Sequence, residues 1–300
     1  MSAAPRLSVV VACGPGRAAA GAGRAAPAWL PALARSCAGI DAELLLVGGT
    51  PARRKHGAVR DGPPLIEIPA PDDALVPVRW GLGLRAARGD VVAFTTECCR
   101  VHDGWARAAL EAVDAGAAAV GGPLRLASSS WTDRAVHQLR FGGLPAPSTA
   151  SAVAVHDVAA DNAAYDRRRL LALGLSYADG FWEVEANRRL RARGDALVFR
   201  GDMGVDFVGG EPFWPLAAQR FAHGRQAGAW RVATGVRRRW QVVLAAPLVP
   251  LVLLARALRR AAARGQRPLA GATPAFLALA TAWAAGEAVG AVVPGHVTPT

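Results

Sequence analysis

The chain has 300 residues, of which 52% are hydrophobic and nine are Trp, so it can fill a core and is not intrinsically disordered. Its formal net charge is +12, and +10 of this lies from Pro212 to the C-terminus, where eleven Arg accompany one acid, Glu287. Such a basic segment indicates phosphate-rich partners, either lipid headgroups or nucleic acid. The four Cys lack the spacing of a zinc site or an ordinary disulfide, which predicts reduced cytosolic thiols.

Strands and helices alternate through the first half of the chain. Strands are predicted at residues 6–12, 43–49, 65–70 and 90–97, with helices at 26–37, at 74–89 and from Trp105. This alternation predicts a mostly parallel sheet with both faces covered. In such sheets, ligands bind beyond the carboxyl ends of the strands. The GPGR turn after the first strand lacks a third glycine, and no acid ends the second strand, so we reject a dinucleotide site.

The second half of the chain is less regular. A helix is predicted at residues 179–194, followed by a strand, and a further helix at 212–232 is predicted to leave the domain. We therefore predict an α/β domain over residues 1–232 and a basic, apolar helical region over residues 233–300.

The C-terminal region raises the question of a membrane. Residues 242–255 form a 14-residue apolar run with two prolines, which is short of the about 20 residues that span a bilayer. Arginines flank both sides of this run, and four of them share one helical face (Arg256, Arg259, Arg260 and Arg264), which favours an in-plane or re-entrant helix. A second uncharged run, residues 268–286, is long enough either to span or to pack on the first. The alternative is a buried helical hairpin of a soluble domain.

One acid, Glu97, lies in the stretch FTTECCR where the fourth apolar strand ends. A carboxylate at the carboxyl end of a strand can hold a divalent cation, which then neutralises a diphosphate leaving group. The alternative is a solvated loop acid paired with Arg100.

Two acids near the start of the helix at 179–194 differ in their surroundings. Glu185 has Arg188 and Arg189 at i+3 and i+4, the spacing of a surface ion pair. Glu183 has no cation at those positions and follows a Trp, an environment that favours a general base. The alternative for Glu183 is a helix-entry acid stabilised by the helix dipole.

Five stretches of the chain together resemble family 2 glycosyltransferases of the GT-A fold, in particular a bacterial membrane-associated branch with a TEDHC-like block. They are TTECCRVHDGW (95–105), NAAYDRR (162–168), WEVEANRRLRARG (182–194), RFAHGR (220–225) and WAAGEAVG (283–290). The resemblance implies a Rossmann-like nucleotide-diphospho-sugar transferase fold: a mixed, mostly parallel sheet flanked by helices, followed by membrane-associated helices.

The resemblance also implies a chemistry and its residues. A hexosyltransferase-like enzyme would move a sugar, with inversion, from a nucleotide-diphosphate sugar to an acceptor hydroxyl. Glu183 would be the catalytic base, and Glu97 would be a ligand of Mg²⁺ or Mn²⁺. The donor and its diphosphate would contact Thr96, Glu97, Arg79, Asn162 and Arg189.

The implied acceptor is a lipid-linked or envelope glycan, and the implied location is the cytoplasmic face of the cell membrane. There the Arg-rich C-terminal region would bind lipids as a peripheral or re-entrant element, or with one or two membrane helices. Nucleic acid is not an expected partner, because the arginines alternate with aliphatic runs and few aromatics accompany them.

The chain departs from the family pattern at the end of the second strand and within the block. Gly48, Gly49 and Thr50 replace the usual acid at that strand end. In the block, Thr96 and Glu97 replace the acidic pair, and Cys98 stands where the family has His. A second hypothesis is therefore a catalytically inactive GT-A relative that acts as a scaffold or sugar-binding protein at the membrane.

Overall fold

The structure of the chain is a computed structural model that describes residues 4–14, 29–49, 62–145, 152–178, 180–265, 269 and 271–293. By internal packing the chain divides into two compact units. Unit 1 comprises Met1–Arg125 and Pro145–Phe207, and unit 2 comprises Leu126–Leu144 and Val208–Thr300.

Eleven strands and ten helices make up the described part of the chain. The strands are β1 (Leu7–Ala12), β2 (Ala42–Val47), β3 (Leu65–Ile68), β4 (Val91–Thr96), β5 (Cys99–Val101), β6 (Ala119–Gly121), β7 (Leu124–Leu126), β8 (Val153–Ala154), β9 (Ala163–Asp166), β10 (Leu197–Phe199) and β11 (Val205–Phe207). The helices are α1 (Trp29–Ser36), α2 (Val76–Ala86), α3 (Trp105–Asp114), α4 (Trp131–Phe141), α5 (Arg167–Leu171), α6 (Glu183–Ala192), α7 (Phe213–Ala233), α8 (Arg239–Ala245), α9 (Val249–Ala263) and α10 (Thr273–Val292).

An eight-stranded sheet forms the centre of unit 1, in the order β3-β2-β1-β4-β9-β6-β10-β8. Strands β3, β2, β1 and β4 run parallel to one another, whereas β9 runs antiparallel to both β4 and β6. Every residue of β1, β2 and β4 is buried, as expected for strands covered on both faces. The predicted mixed, mostly parallel sheet is confirmed. A smaller sheet joins β5, β11 and β7.

The predicted elements of the first half are confirmed, with ends that differ by up to three residues where both are described. Residues 26–28, the start of the first predicted helix, lie outside the described residues. The helix predicted at 179–194 begins only at Glu183. Gly180 precedes it with φ of 120°, a backbone conformation outside the helical range that L side chains rarely adopt. Asp179, which was included in that prediction, lies outside the described residues.

Unit 2 is helical, and α7 and α10 pack closely within it. Four glycines line the contact: Gly224 and Gly228 on α7, and Gly286 and Gly290 on α10. A Cβ at any of them would overlap a backbone carbonyl oxygen of the opposite helix, so the two backbones touch in the manner of small-residue helix pairs. This contact explains why α7 groups with the C-terminal helices in unit 2. The domain boundary at 232/233 stays a prediction.

Helix α10 also contains the one acid of the C-terminal segment. Glu287 is 2% exposed and forms an ion pair with Arg231 of α7. Among the described residues, α10 is the only individual helix that is long and apolar enough to cross a bilayer. Half of its most apolar stretch is buried inside the protein. Helices α8 and α9 reach the same length and hydropathy only as a pair, across a bend of 66°.

A buried polar cluster closes the amino ends of β1 and β2. The Glu43 side chain is fully buried and accepts hydrogen bonds from Ser8 Oγ (2.7 Å) and from the Arg88 backbone N (2.9 Å), Nε (3.0 Å) and Nη2 (2.7 Å). Burial by itself raises the pKa of Glu43. The hydrogen bonds and the charge of Arg88 outweigh it, so the pKa is lowered below its usual value of 4.5.

Glu43→Gln is expected to lower the free energy of unfolding by about 2–3 kcal/mol at pH 7, since charge-assisted hydrogen bonds are lost. Because the folded-state pKa is depressed, this contribution is present above the unfolded pKa and disappears as the pH falls through the folded value. Urea denaturation at pH 7 and in steps below pH 4.5 measures the difference, which should shrink toward acid. Glu111→Gln, at an exposed site, is the control. A difference that stays constant below pH 4.5 would contradict the assigned ionisation.

Candidate active site

Three parallel strands of unit 1 end side by side. Ala12, the last residue of β1, is in register with Val47 of β2 and with Thr96 of β4. Gly48 and Glu97, which follow the two neighbouring strands directly, therefore lie at one edge of the sheet with the residues after Ala12. This is the edge at which α/β sheets bind ligands.

Glu97 is held at this edge by the turn after β1. It is 5% exposed, and its Oε1 accepts a hydrogen bond of 2.6 Å from the Gly14 backbone N. The Glu97 backbone N also donates to the Ala12 carbonyl at 3.2 Å. Arg100, the alternative partner considered from the sequence, pairs through Nη2 with Asp206 at 2.9 Å. Glu97 is thus a buried carboxylate at the carboxyl end of β4 and not a solvated loop acid.

Helix α2 brings a buried cation to the same edge. Trp80 Nε1 donates to the Thr95 carbonyl at 2.9 Å, which fixes α2 to β4. A Cβ at Gly83 would overlap Val10, so only glycine allows α2 to lie this close to β1. Arg79, one residue before Trp80, is consequently buried to 2% exposure.

The guanidinium of Arg79 is only partly satisfied by the protein. Nε donates to Ala74 O (3.0 Å), and Nη2 donates to Pro71 O (3.2 Å) and Asp72 O (3.0 Å). Nη1 is buried and has no hydrogen-bond partner among the described residues. It lies against Gly48, where any side chain would collide with it.

Charge and burial act on Arg79 in opposite directions. Burial lowers its pKa, and the nearby Glu97 and Asp72 act to raise it; the net shift is downward. An arginine stays protonated in proteins, so a buried positive charge with an unused donor is present at this edge. Unpaired buried donors are costly, and an anionic or carbonyl ligand would satisfy this one. Thr95 Oγ1, at the same strand end, is a second buried atom with no hydrogen-bond partner in the part of the chain that the structure describes.

Glu183, the candidate base, is the first residue of α6. Two residues before it, Phe181 stacks on Phe94 of β4, with ring centroids 4.3 Å apart, and its backbone N donates to Pro77 O of α2 at 2.7 Å. The start of α6 is therefore packed against the two elements that position Glu97 and Arg79. Glu183 is partly exposed and acts electrostatically on the buried Tyr165, whose pKa is raised mainly by burial.

The predicted ion pairs of Glu185 are confirmed. It accepts from Arg188 (2.6 and 2.8 Å) and from Arg189 Nε (2.7 Å). Burial alone raises the pKa of Glu185, but these hydrogen bonds and charges lower it overall. Glu185 is 7% exposed, so the pair is buried at its acidic end. Arg189 also donates to Leu173 O at 3.3 Å, and its assignment to the donor phosphates stays a prediction.

Two other predicted donor contacts are buried. Asn162 accepts from Trp105 Nε1 (2.7 Å) and donates to Met203 O (2.8 Å) and Pro123 O (3.2 Å), so the structure uses its amide to join loops beside the start of β9. Thr96 Oγ1 donates to Cys99 Sγ at 3.4 Å. Contacts of either residue with a donor stay predictions.

The sequence analysis missed a second polar cluster close along the chain to Glu97. His102 Nε2 lies 2.9 Å from Asp206 Oδ1, and Arg100 binds the other oxygen of that carboxylate. Burial acts to raise the pKa of Asp206, but these partners lower it overall. The antiparallel pairing of β5 with β11 creates this cluster, and no short sequence motif links residues about 100 positions apart.

A resident metal site is not formed by these side chains. Among the described residues no three His, Cys, Asp or Glu side chains meet in a way that could hold a metal ion. Glu97 offers one carboxylate, and Mg²⁺ in proteins is commonly bound by one or two carboxylates together with phosphate oxygens of the substrate. The site fits a cation that arrives with a diphosphate and not one held by the protein alone.

No family model and no curated protein matches the sequence. Several solved structures match the fold. The mannosyltransferase PcManGT from Pyrobaculum calidifontis, in complex with GDP-Man and Mn²⁺, has a TM-score of 0.53 at 19% identity, over 97% of this chain and 88% of that one. TarS 1-349 from S. aureus, in complex with UDP-GlcNAc, has a TM-score of 0.51 at 10% identity, over 72% of this chain and 65% of that one.

A third structure, GalNAc-T7 with UDP, GalNAc and Mn²⁺, is matched at 11% identity and a TM-score of 0.48, over 68% of this chain. The chain spans 44% of the length of that protein. The likeness to the first two structures shows that the fold is of the GT-A type. At these identities it shows the fold alone, and membership of family 2 and the TEDHC-like block stay predictions.

Proposed function

We propose that the chain is a glycosyltransferase that moves a sugar from a nucleotide-diphosphate sugar to an acceptor hydroxyl. The observation on which this rests is that two buried groups lie at the carboxyl ends of three parallel strands. They are the Glu97 carboxylate and Arg79 Nη1, which has no hydrogen-bond partner within the described part of the chain. The GT-A fold supports it, since the matched structures were solved with GDP-Man or UDP-GlcNAc.

The two groups have complementary parts in holding such a donor. Arg79 Nη1 supplies a charged hydrogen bond to an oxygen of the nucleotide or its diphosphate. Glu97, fixed by Gly14, would supply a carboxylate ligand to Mg²⁺ or Mn²⁺. That cation, when bound, neutralises the charge that develops on the leaving diphosphate.

Transfer further requires removal of a proton from the acceptor hydroxyl. Glu183 is proposed as this base, and inversion follows if the deprotonated oxygen attacks the sugar carbon from the face opposite the diphosphate. Hexosyl donors, a lipid-linked or envelope glycan acceptor and the cytoplasmic face of the cell membrane complete the proposal. They are supported by the resemblance and the basic C-terminal segment.

A scaffold or sugar-binding role is the second candidate. It is favoured by the absence, among the described residues, of a three-ligand metal group and by Gly48 after β2, where the family that the chain resembles usually has an acid. Such a protein would bind its ligand without turning it over.

Binding of a panel of nucleotide sugars, measured by calorimetry with Mn²⁺ and with EDTA, tests the donor site. We expect one donor to bind at least tenfold more tightly with Mn²⁺. Arg79→Lys should weaken it by about 10- to 100-fold, the range of a lost charged hydrogen bond. Arg107→Gln, exposed on α3, is the control, and melting temperatures confirm that both variants fold. Unchanged affinity in folded Arg79→Lys would refute the site.

Hydrolysis of the bound donor, measured as release of the nucleoside diphosphate, distinguishes the two candidate functions. Turnover supports the transferase, whereas tight binding without turnover for any acceptor tested supports the sugar-binding role. Absence of binding by the whole panel contradicts both.

A further inference from the structure

Helices α8 and α9 of unit 2 expose an unusual amount of apolar side chain. The most exposed residues are Trp240 (57%), Leu244 (69%), Leu248 (61%), Leu251 (58%), Val252 (44%) and Leu258 (49%). All six lie between residues 240 and 258, in α8, in α9 or in the short link between them. Single exposed apolar residues are common, but a contiguous group marks an interaction surface.

The exposed face of α9 is distinct from the face that packs. Pro250, Ala257 and Ala261 are buried, and α9 contacts α10 and α4 within unit 2. Leu251 and Leu258 are seven residues apart and so lie on one face of the helix, beside the face that carries the buried residues. Pro250, Ala257 and Ala261 make the internal contact, whereas Leu251, Val252 and Leu258 are exposed.

Basic side chains border this apolar face, and acids are missing from it. Between residues 233 and 265 the sequence contains seven Arg and no Asp or Glu. Arg256 and Arg259 follow Val252 at i+4 and i+7, so they form the adjacent edge of α9, and both are exposed. Arg237 and Arg238 precede α8, and Arg239 is its first residue; all three are exposed. The surface is therefore complementary to an anionic partner that also accepts apolar side chains.

Spanning the bilayer does not suit these two helices. Helix α8 has 7 residues and α9 has 15, whereas about 20 are needed to span. They meet at 66°, and arginines lie at both ends of the pair. A helix with an apolar stripe bordered by arginines instead lies in the plane of the membrane interface.

We propose that the exposed faces of α8 and α9 form an in-plane docking surface for an anionic lipid bilayer. Trp240, Leu244 and Leu251 insert at the level of the headgroups, and Arg256 and Arg259 bind lipid phosphates. An anionic bilayer supplies both the apolar depth and the negative charge that this surface matches. The inference rests on the membrane location in the proposed function and deepens it. Its test requires neither donor nor acceptor, so docking and sugar transfer can fail separately.

Flotation with vesicles of phosphatidylcholine alone, or with 30 mol% phosphatidylglycerol, tests the docking surface. The full chain should bind the anionic vesicles at least tenfold more tightly than the neutral ones. Binding should weaken at high salt, because exposed charges are screened. The triple variant Trp240→Ser, Leu244→Ser, Leu251→Ser should lose vesicle binding by about tenfold or more, and Arg256→Gln with Arg259→Gln should remove the preference for anionic lipid.

Matched substitutions outside unit 2 distinguish docking from general loss of structure. Leu171 is 41% exposed on α5, and Arg107 is exposed on α3. The variants Leu171→Ser and Arg107→Gln should therefore bind vesicles like the unaltered chain. Quenching of Trp fluorescence by brominated lipid should be smaller in Trp240→Phe than in the unaltered chain, and the difference reports insertion of Trp240. Equal binding by the triple variant, or tighter binding to RNA than to anionic vesicles, would overturn the proposal.

Discussion

Glu183→Gln is expected to lower the rate of sugar transfer by about 10²–10⁴-fold, the range for loss of a general base, while donor binding stays unchanged. The amide keeps the shape of the side chain but cannot accept the proton of the acceptor hydroxyl. A loss in kcat without a change in donor affinity is the signature of a group that acts in the chemical step. Initial rates with saturating donor, together with calorimetry of the same variant, measure both quantities.

The environment of Glu183 makes this variant informative. Its neighbour in the helix, Glu185, is buried against Arg188 and Arg189 and serves structure. The stack of Phe181 on Phe94 fixes the entry to α6 independently of the Glu183 side chain, so the fold should tolerate the change.

Glu111→Gln is the matched control for this experiment. Glu111 is exposed on α3 and pairs with Arg200, an exposed contact worth less than about 1 kcal/mol. The transfer rate of the Glu111→Gln variant should equal that of the unaltered chain. Full activity in Glu183→Gln would remove Glu183 from the mechanism, although the donor site at Arg79 and Glu97 would still stand.

Gly228→Ala and Gly290→Ala are expected to destabilise unit 2 by about 3 kcal/mol each, at the upper end of the cost of overpacking a tight contact. A methyl group at Gly228 would overlap the Glu287 carbonyl oxygen, and one at Gly290 the Arg225 carbonyl oxygen. Backbone atoms cannot rotate away as side chains do, so α7 and α10 must separate. Separation also disturbs the buried ion pair of Arg231 with Glu287.

Urea denaturation followed by circular dichroism measures this effect, and Ala285→Leu is its control. Ala285 is exposed on α10, so a larger side chain there keeps the helix and avoids the contact with α7. We expect the control to remain within about 0.5 kcal/mol of the unaltered chain. If the two glycine variants had the same free energy of unfolding as Ala285→Leu, α7 and α10 would not approach as closely as described.

The sequence was sufficient for the architecture of unit 1 because its signals are local. The apolar runs of β1, β2 and β4 are buried on both faces, which only a covered parallel sheet provides. The end of α6 was nearly as predictable. Its start was not, because Gly180 packs against the Pro77 backbone in a non-helical conformation, and the helix begins only at Glu183.

The site was only partly accessible from the sequence. Position at the end of β4 was enough to single out Glu97, since the carboxyl ends of parallel strands meet. The hydrogen bond from Gly14 and the unused Nη1 of Arg79 depend on register and helix packing, which place residues 83 and 18 positions away beside Glu97. The same limit applies to His102 and Asp206, joined only by the pairing of β5 with β11.

By itself, the sequence determined the class of fold, the position of Glu97 at a strand end and the basic, apolar character of the C-terminal segment. These depend on periodicity and composition, which act over a few residues. The tertiary structure decided that α7 packs with α10, that Arg79 is a buried cation with an unused donor, and which side of α9 faces outward. Those outcomes depend on close approach between distant segments, where the absence of one Cβ or the register of one strand determines the contact.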